Sequence, residues 1–296
     1  MIPTLVGAKV PCLTGWGDVV SVFSRAVNIR HTEGLLVSFI EETRSMTSLS
    51  VCLPALFRKQ KKGLVPGDRV RFDGPSLVTE DFIVDFLGWP TWQGTLTRDD
   101  IKGFRASKVS LVKETLLLKG RDGGFLGLLR RDEAKNFFVD KAVKVLSRIQ
   151  GAPSRDGGLK CLSGLVGLGP GSTPSGDDFI TGVLLGEETL RLLSSTEAKA
   201  VAGDQKNMVA CSIEKEDLWF AMNRTNDAGR TLLWQALQGF FPEYLIEAVR
   251  SVSDAEGKEE IVIAVERAVG SGATSGTDAL VGFLFCFERD PHGLCS

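Results

Sequence analysis

The period of the hydrophobic pattern changes near residue 97, and this change limits the possible fold more than any other feature of the sequence. Before it, short apolar runs are separated by turn sequences such as Pro66-Gly67-Asp68. After it, apolar residues recur at helical spacing. The pattern predicts an α+β protein, with an amino-terminal β barrel or sandwich domain over residues 1–97 and a larger, mainly α-helical domain over residues 98–296. The apolar runs of the first domain cover about residues 19–29, 35–40, 49–57, 69–72 and 77–86.

Six helices are predicted in the second domain. In the clearest of them, at about residues 175–193, Phe179, Val183 and Leu190 fall on one stripe. The polar residues 194–205 are predicted to form a surface connection. The other five helices are expected at about residues 132–150, 228–237, 243–252, 259–269 and 275–286.

Composition and charge exclude several classes of partner. The chain has 35 basic and 37 acidic residues, whereas nucleic-acid-binding domains usually carry a basic excess, so we expect no nucleic acid. No apolar run approaches the roughly 18 residues that span a bilayer, and the amino terminus does not resemble a secretory signal, so we expect no membrane. The six cysteines are scattered without a C-x-x-C pair, which favours reduced thiols and a cytoplasmic protein.

Histidine is scarce, and this limits the possible chemistry. The chain has two histidines, His31 and His292, so a Ser-His-Asp or Cys-His mechanism would depend on His31. A zinc site would have to use cysteines that lack ligand spacing. We therefore expect no metal and no other cofactor, and chemistry based on backbone amides, arginine or lysine, hydroxyls and carboxylates.

The most distinctive local sequence is a glycine-rich run over residues 164–174 that leads into Ser-Gly-Asp-Asp at residues 175–178. Glycines let a ligand approach the main chain closely, and the helix start that follows favours an anion. The run lacks the Gly-Lys-Ser/Thr ending of a P-loop and the βαβ context of a dinucleotide site. Alternatively, Ser175 and Asp178 form a capping box that stabilises the helix without any ligand.

The same motif recurs one hundred residues later. Ser-Gly-x-Asp at residues 175–178 with Gly182 corresponds to Ser-Gly-x-Asp at residues 275–278 with Gly282. Two interpretations remain open. The two copies are either capped helices whose glycines allow close helix packing, or related helix starts that face each other and share one anionic ligand.

Three segments resemble a bacterial family of unknown function. The run over residues 169–179 resembles its hallmark Gly-Leu-Thr-Pro-Ser-Gly-Asp-Asp-Phe, and residues 21–28 and 272–278 are similar to its Ser-Val-Phe-x-x-Ala-Val-Asn and Gly-His-Thr-Ser-Gly-x-Asp segments. One branch of that family is a subunit of the oxamate carbamoyltransferase of anaerobic allantoin breakdown, a purine-catabolic enzyme that moves a carbamoyl group between oxamate and phosphate. The resemblance implies a small anionic substrate and other subunits of the complex as partners.

The chain departs from the family at three positions. Ser172 stands where the family has an aliphatic residue, Ala273 where it has histidine, and Gly229 where a Thr-x-x-Ser pattern places serine. These differences indicate a divergent member with another substrate, or with none.

The anion-site argument and the resemblance together give a set of candidate residues. As catalytic residues we expect Thr173 or Ser175 to donate to developing negative charge, and Asp177 to orient the attacking nitrogen or accept its proton. Backbone amides of the glycine-rich run would hold phosphate, and an arginine would hold a carboxylate. The expected substrate-binding residues are Gly169, Gly171, Gly176, Asp178, Ser275, Gly276, Asp278, Arg25 and Arg224, with Arg230 as a further candidate arginine.

Two other functions are compatible with the same residues. A nucleotide-dependent small-molecule kinase would use Asp177 and Asp178 to bind Mg²⁺, although adjacent residues on a helix project about 100° apart. A non-catalytic ligand-binding or scaffolding subunit agrees with the scarcity of histidine and with the changes at residues 229 and 273.

Overall fold

The computed structural model describes residues 5–41, 45–53, 63–130, 136–150, 161–194 and 215–287. The chain forms two compact units, residues 1–95 and residues 96–296. The first is built from strands and the second mainly from helices, which confirms the predicted α+β class. In the parts of the chain that are described, none of the helices has the length and apolar character needed to cross a bilayer.

The amino-terminal unit is one curled sheet of nine strands, a half-barrel. Its spatial order is β8-β7-β6-β2-β3-β4-β5-β1-β9, in which β4–β5 and β1–β9 are parallel pairs. The strands are β1 Leu5–Gly7, β2 Thr14–Val22, β3 Ala26–His31, β4 Leu36–Glu41, β5 Ser50–Leu53, β6 Arg69–Asp73, β7 Ser76–Val78, β8 Ile83–Asp85 and β9 Thr91–Trp92.

Two predicted apolar runs were wrong as single strands. Residues 19–29 contain parts of β2 and β3, and the tight turn between them closes with a 2.7 Å hydrogen bond from the Phe23 N–H to the Ala26 carbonyl. Residues 77–86 contain β7 and β8, joined by a turn at Thr79 and Phe82. An exposed Phe23 conceals the first turn in the sequence, because its apolar side chain continues the strand-like pattern.

His31 has a structural role in this sheet. It is buried, its Nδ1 accepts from the Glu33 N–H at 3.3 Å, and its Nε2 lies 2.9 Å from the Thr14 carbonyl oxygen. Since Nδ1 accepts, Nε2 carries the proton and donates it to that carbonyl. Both ring nitrogens are therefore used within the sheet.

The second unit contains eight α-helices within its described residues. All six predicted helices are present, and two more, α1 and α4, were not predicted; the start predicted near residue 132 and most of the connection predicted at residues 194–205 lie outside the described residues. The stripe of α1 is obscured because Leu118 is apolar but exposed. The helices are α1 Ala106–Lys119, α2 Phe137–Gln150, α3 Ser175–Ser194, α4 Lys215–Ala221, α5 Asp227–Leu237, α6 Glu243–Asp254, α7 Lys258–Val269 and α8 Ser275–Phe285.

Helices α3 and α8 run side by side in the same direction at the centre of this unit. Their starts touch through Thr173 and Ser275, and further along a Cβ at Gly186 would meet the side chain of Cys286. Between these points a Cβ at Gly182 would collide with the Ala279 carbonyl, and one at Gly282 with the Phe179 carbonyl. The two repeated glycines therefore permit the backbones to touch, as the packing interpretation of the repeat requires.

Substituting Gly182 tests this contact. Gly182→Ser should lower the free energy of unfolding by about 1–3 kcal/mol, because the new Cβ must push the two backbones apart. Gly257→Ser is the matched control, since Gly257 precedes α7 and a Cβ added there would meet no atom within 4 Å, and serine is favoured before a helix. Urea unfolding measures both, and equal stabilities would contradict the proposed contact.

Candidate functional site

The two Ser-Gly-x-Asp helix starts meet in the structure. Thr173 Oγ1 lies 3.0 Å from Ser275 Oγ, and it donates a 3.0 Å hydrogen bond to Asp178 Oδ2. The Ser275 hydroxyl also hydrogen-bonds Asp178, while Ser175 faces Asp278. Each serine thus faces the aspartate of the other copy, so the repeat in the sequence becomes an approximate twofold arrangement in space.

Repeated glycines bring each helix start against a neighbouring backbone. A Cβ at Gly176 would collide with the Leu165 carbonyl, and one at Gly276 with the Ala268 carbonyl. Their own N–H groups are engaged within the unit: Gly176 donates to the Leu168 carbonyl at 2.7 Å and Gly276 to the Ser271 carbonyl at 3.1 Å. These two amides are therefore not available to a ligand in this conformation.

Asp177 ties three segments together. Its Oδ1 accepts from the Gly167 N–H at 2.9 Å, and its Oδ2 accepts from the Thr225 hydroxyl just before α5. A Cβ at Gly229 would collide with the same carboxylate. The glycine at residue 229, one of the departures noted above, therefore leaves the space that the Asp177 carboxylate occupies.

Asp278 is anchored by the segment that follows α1. Its Oδ1 accepts from the Phe125 N–H at 2.6 Å, and a Cβ at Gly124 would collide with its carboxylate. Thr277, which corresponds to Asp177 in the repeat, accepts from the Arg121 N–H at 3.0 Å. Each copy of the motif therefore holds a different loop through equivalent positions.

Three carboxyl groups, those of Asp177, Asp178 and Asp278, are buried where the two helix starts meet, with at most 1% of each residue exposed. We refer to these residues and the adjoining Thr173, Ser175 and Ser275 as the cluster. Burial raises the pKa of Asp177 to about 6 and that of Asp278 to about 6. Burial, followed by repulsion from Asp278, raises the pKa of Asp178 well above its usual range. Tyr244, in the first turn of α6, faces Asp178 and Asp278, and burial together with these carboxylates raises its pKa well above 10.

Among the described residues, two polar atoms of the cluster have no hydrogen-bond partner. Ser175 Oγ and Asp278 Oδ2 are buried, and although Ser175 lies close enough to lower the pKa of Asp278, the two make no hydrogen bond of normal geometry. In the other half, Thr173 supplies such a bond to Asp178, but its counterpart in the repeat is Ala273. On the second loop Thr274, rather than residue 273, lies close enough to Asp278 to lower its pKa.

The capping box considered from the sequence does not form. Ser175 is the first residue of α3, and its hydroxyl has no hydrogen-bond partner among the described residues. The helix start is instead closed by the Pro174 carbonyl, which accepts from the N–H groups of Asp177 and Asp178. Asp178 points to Thr173 and Ser275, because the contact with α8 offers it side-chain hydroxyl partners.

The accessible edge of the cluster is formed by two loops, residues 169–174 and 271–275. Thr173 and Ser275 are half-buried there, and Gly171 is exposed. Gly169 and Gly171 have φ values of 108° and 110°, which glycine adopts readily. Their N–H groups make no hydrogen bond to other described residues, so two of the predicted backbone donors remain available.

The candidate arginines occupy different surroundings. Arg25 is exposed in the turn between β2 and β3 of the amino-terminal unit. Arg224 is exposed and donates to the Ser163 carbonyl. Arg230, on α5, has a buried Nε without a hydrogen-bond partner in the described part of the chain. Arg121 was not predicted; its Nη1 donates at 2.7 Å to the Gly272 carbonyl, beside the second loop.

The structure adds three residues to the site that the sequence analysis missed. Thr225 donates to Asp177, Tyr244 lies near enough to Asp178 and Asp278 for their charge to raise its pKa, and Arg121 lies beside the second loop. Each is more than 30 residues along the chain from the motif it approaches. Tyr244 is the single tyrosine of the chain, and this rarity was the one signal in the sequence that could have marked it as a site residue.

The described residues do not form a metal site built from acidic side chains. They contain no group of three or more His, Cys, Asp or Glu side chains arranged to hold a metal. Asp177 binds Gly167 and Thr225, whereas Asp178 binds Thr173. The divergence agrees with the angle of about 100° between adjacent helix residues.

Fold and site together define an α+β protein whose helical unit joins two copies of one helix start around buried carboxyl groups. Residues 165–287 match the model of the family described as oxamate carbamoyltransferase subunit AllH. No curated protein and no solved structure matches the chain. The matched region contains both helix starts together with Thr225 and Tyr244, so the similarity covers most of the residues that build the site.

The buried carboxyl groups should make the protein less stable as the pH rises. The folded chain holds protons that the unfolded chain releases, because the pKa of Asp278 rises from 3.8 to about 6 on folding. The stabilisation that comes from the proton on Asp278 is complete below pH 4 and is lost as the pH rises through 6. The loss in the free energy of unfolding is roughly 3 kcal/mol, at 1.4 kcal/mol per pKa unit.

Asp278→Asn removes this titration. Urea unfolding between about pH 4 and pH 8 should show a smaller fall in stability for Asp278→Asn than for the natural chain. Asp140→Asn, at an exposed position on α2, is the control and should change with pH as the natural chain does. Parallel pH profiles for all three proteins would show that Asp278 is not protonated on folding.

The hydrogen bond from Thr225 to Asp177 should stabilise the unit. Thr225→Val removes the donor but keeps the shape, so Asp177 Oδ2 loses its hydrogen bond and the free energy of unfolding should fall by about 1–3 kcal/mol. Thr225→Ser retains the hydroxyl and should cost less. Chemical denaturation at one pH compares the two variants, and a valine variant as stable as the serine variant would contradict the assignment.

Proposed function

We propose that this chain is a subunit of a carbamoyltransferase that moves a carbamoyl group between oxamate, or a closely related small anion, and phosphate. The observation that carries the proposal is the match of residues 165–287 to the AllH subunit family, because these residues also form both helix starts of the site. As the family is one of subunits, we expect other chains of the complex as partners. We place the reaction in the cytoplasm, in allantoin and purine catabolism.

The chemistry at the edge of the cluster supports an anionic substrate. The N–H groups of Gly169 and Gly171 are available, and the hydroxyls of Thr173 and Ser275 stand beside them. Helices α3 and α8 begin at the same place, and the positive ends of their dipoles favour negative charge there. Arg121, at the carbonyl of Gly272, adds a cation at the second loop.

The residues divide into two roles in this proposal. Thr173 and Ser275 contact the substrate and donate to its developing negative charge. Asp177 was expected to act on the attacking nitrogen, but both of its oxygens are engaged by Gly167 and Thr225. We therefore assign it the task of holding the loop at residue 167 and the start of α5, where Asn226 donates to the carbonyl of Ser172, next to Thr173.

Arg230 is the second candidate cation in this proposal. Its Nε is buried without a hydrogen-bond partner in the described part of the chain, whereas the guanidinium of Arg224 already donates to the Ser163 carbonyl. An arginine with an unused donor gains most from binding a carboxylate or phosphate. Arg25 remains a candidate substrate-binding residue from the sequence analysis alone.

Thermal unfolding with and without ligands tests the proposal. Carbamoyl phosphate, oxamate or phosphate at about one hundred times its dissociation constant should stabilise the purified chain by roughly 2.7 kcal/mol, which gives a measurable rise in Tm. Arg121→Gln should reduce this rise. Arg105→Gln is the matched control, because Arg105 is exposed before the first residue of α1, about 20 Å of helix away from the end that precedes Arg121.

Other outcomes would assign other functions. Stabilisation by Mg-ATP alone would favour the kinase. Binding of oxamate or carbamoyl phosphate without turnover, in the presence of partner subunits, would favour a non-catalytic ligand-binding or scaffolding subunit. No stabilisation by any of these ligands would contradict the anion site.

A further inference from the structure

An anion at the loop edge would come close to buried carboxyl groups. Asp178 lies directly behind Thr173 and Ser275, and Asp278 lies near Asp178. Two ionised carboxylates would repel the ligand, since the interior of a protein screens charge poorly. Anion binding at this place therefore needs a way to remove negative charge from the cluster.

We propose that Asp178 holds a proton and directs the Thr173 and Ser275 hydroxyls outward, so that this pair binds a carboxylate or phosphate oxygen only while Asp178 is neutral. The inference rests on the proposed function, and it states in which direction the hydroxyl groups of that binding site donate. Asp178 acts through the two hydroxyls and is a positioning residue, whereas Thr173 and Ser275 touch the ligand.

The hydrogen bonds give the physical reason. Each hydroxyl has a single hydrogen to donate, and an ionised carboxylate can only accept. The 3.0 Å distance between Thr173 Oγ1 and Asp178 Oδ2 fits a hydrogen bond in either direction. When Asp178 is ionised, Thr173 donates inward to Asp178 Oδ2 and turns lone pairs towards the loop edge. When Asp178 is protonated, it donates to a hydroxyl oxygen, and the hydroxyl hydrogens become free to point at an anion.

The surroundings keep the proton on Asp178. It is faced by Asp278 from α8, by Tyr244 from α6, and by the adjacent Asp177 on α3. No lysine or arginine among the described residues contributes to its ionisation. Burial, followed by repulsion from Asp278 and from Asp177, raises the pKa of Asp178 and outweighs the opposing hydrogen bonds from Ser275 and Thr173. Asp278, in contrast, receives a hydrogen bond from the Phe125 N–H.

A second observation indicates that the cluster is incomplete without a ligand. Ser175 and Asp278 are fully buried, yet Ser175 Oγ and Asp278 Oδ2 have no hydrogen-bond partner among the described residues. Buried polar groups in native proteins are nearly always paired.

Calorimetric titration of the full chain with oxamate tests the coupling to protons. Oxamate suits the purpose because its carboxylate stays ionised between about pH 6 and pH 9, whereas phosphate itself ionises in this range. Above the pKa of Asp178, affinity should fall about tenfold per pH unit, and binding should take up a proton, detected as a heat that depends on the ionisation enthalpy of the buffer.

Three variants separate the roles. Asp178→Asn is a neutral mimic whose amide N–H can donate to the same hydroxyls, so it should bind oxamate with an affinity independent of pH and without proton uptake. Ser275→Ala, which leaves Asp178 in place, should weaken binding about tenfold, as expected for one lost hydrogen bond to a charged ligand. The exposed Asp140→Asn should bind as the natural chain does.

Infrared spectroscopy tests the proton without any ligand. At neutral pH the natural chain and Asp140→Asn should show the C=O stretch of a protonated carboxyl group, reduced in Asp178→Asn. Absence of this band, or a fall of oxamate affinity with pH that persists in Asp178→Asn, would overturn the inference and leave the proposed function standing. Failure of oxamate, phosphate and carbamoyl phosphate to bind would overturn both.

Discussion

The close contact of α3 with α8 is the interaction on which the rest of the helical unit depends. Gly182 and Gly282 let each backbone rest on a carbonyl of the other helix, at Ala279 and Phe179 respectively. With the two helices side by side and parallel, their starts must lie together. The contact between Thr173 and Ser275 follows from that packing. Thr173 precedes α3 and Ser275 begins α8, and the packing sets the distance and the relative direction of these two helices.

The same packing places three carboxyl groups where water does not reach. Burying an ionised carboxylate costs far more than burying a neutral one, so such groups either find partners or hold protons. Here the partners are hydroxyls and backbone N–H groups, at Thr173, Thr225, Gly167 and Phe125, rather than cations of the described chain. Asp177 and Asp278 therefore connect loops to the helix pair, while Asp178, which has no backbone donor among the described residues, is the carboxyl group most affected by its neighbours.

Local pattern predicted much of the fold. The alternation in β6, with Val70 and Phe72 buried and Arg71 exposed, identifies a strand from sequence alone, because side chains on a strand point to opposite faces. The helical stripe of α3 likewise predicted a helix within one residue of its observed end. Pattern failed where exposed side chains are apolar, as at Phe23 in a turn and Leu118 in α1, since hydrophobicity then no longer reports burial.

The sequence by itself determined the two-part α+β organisation, the repeated Ser-Gly-x-Asp motif and the glycines that make close packing possible. It could not decide that the two motifs meet, that Asp177 and Asp178 turn to different partners, or that Arg121, Thr225 and Tyr244 join the site. Those contacts connect residues far apart in the chain, and neither spacing nor propensity encodes the direction in which two helices pack. The tertiary structure decided them, because the chemistry of a buried carboxyl group depends on the donors and charges that packing brings to it.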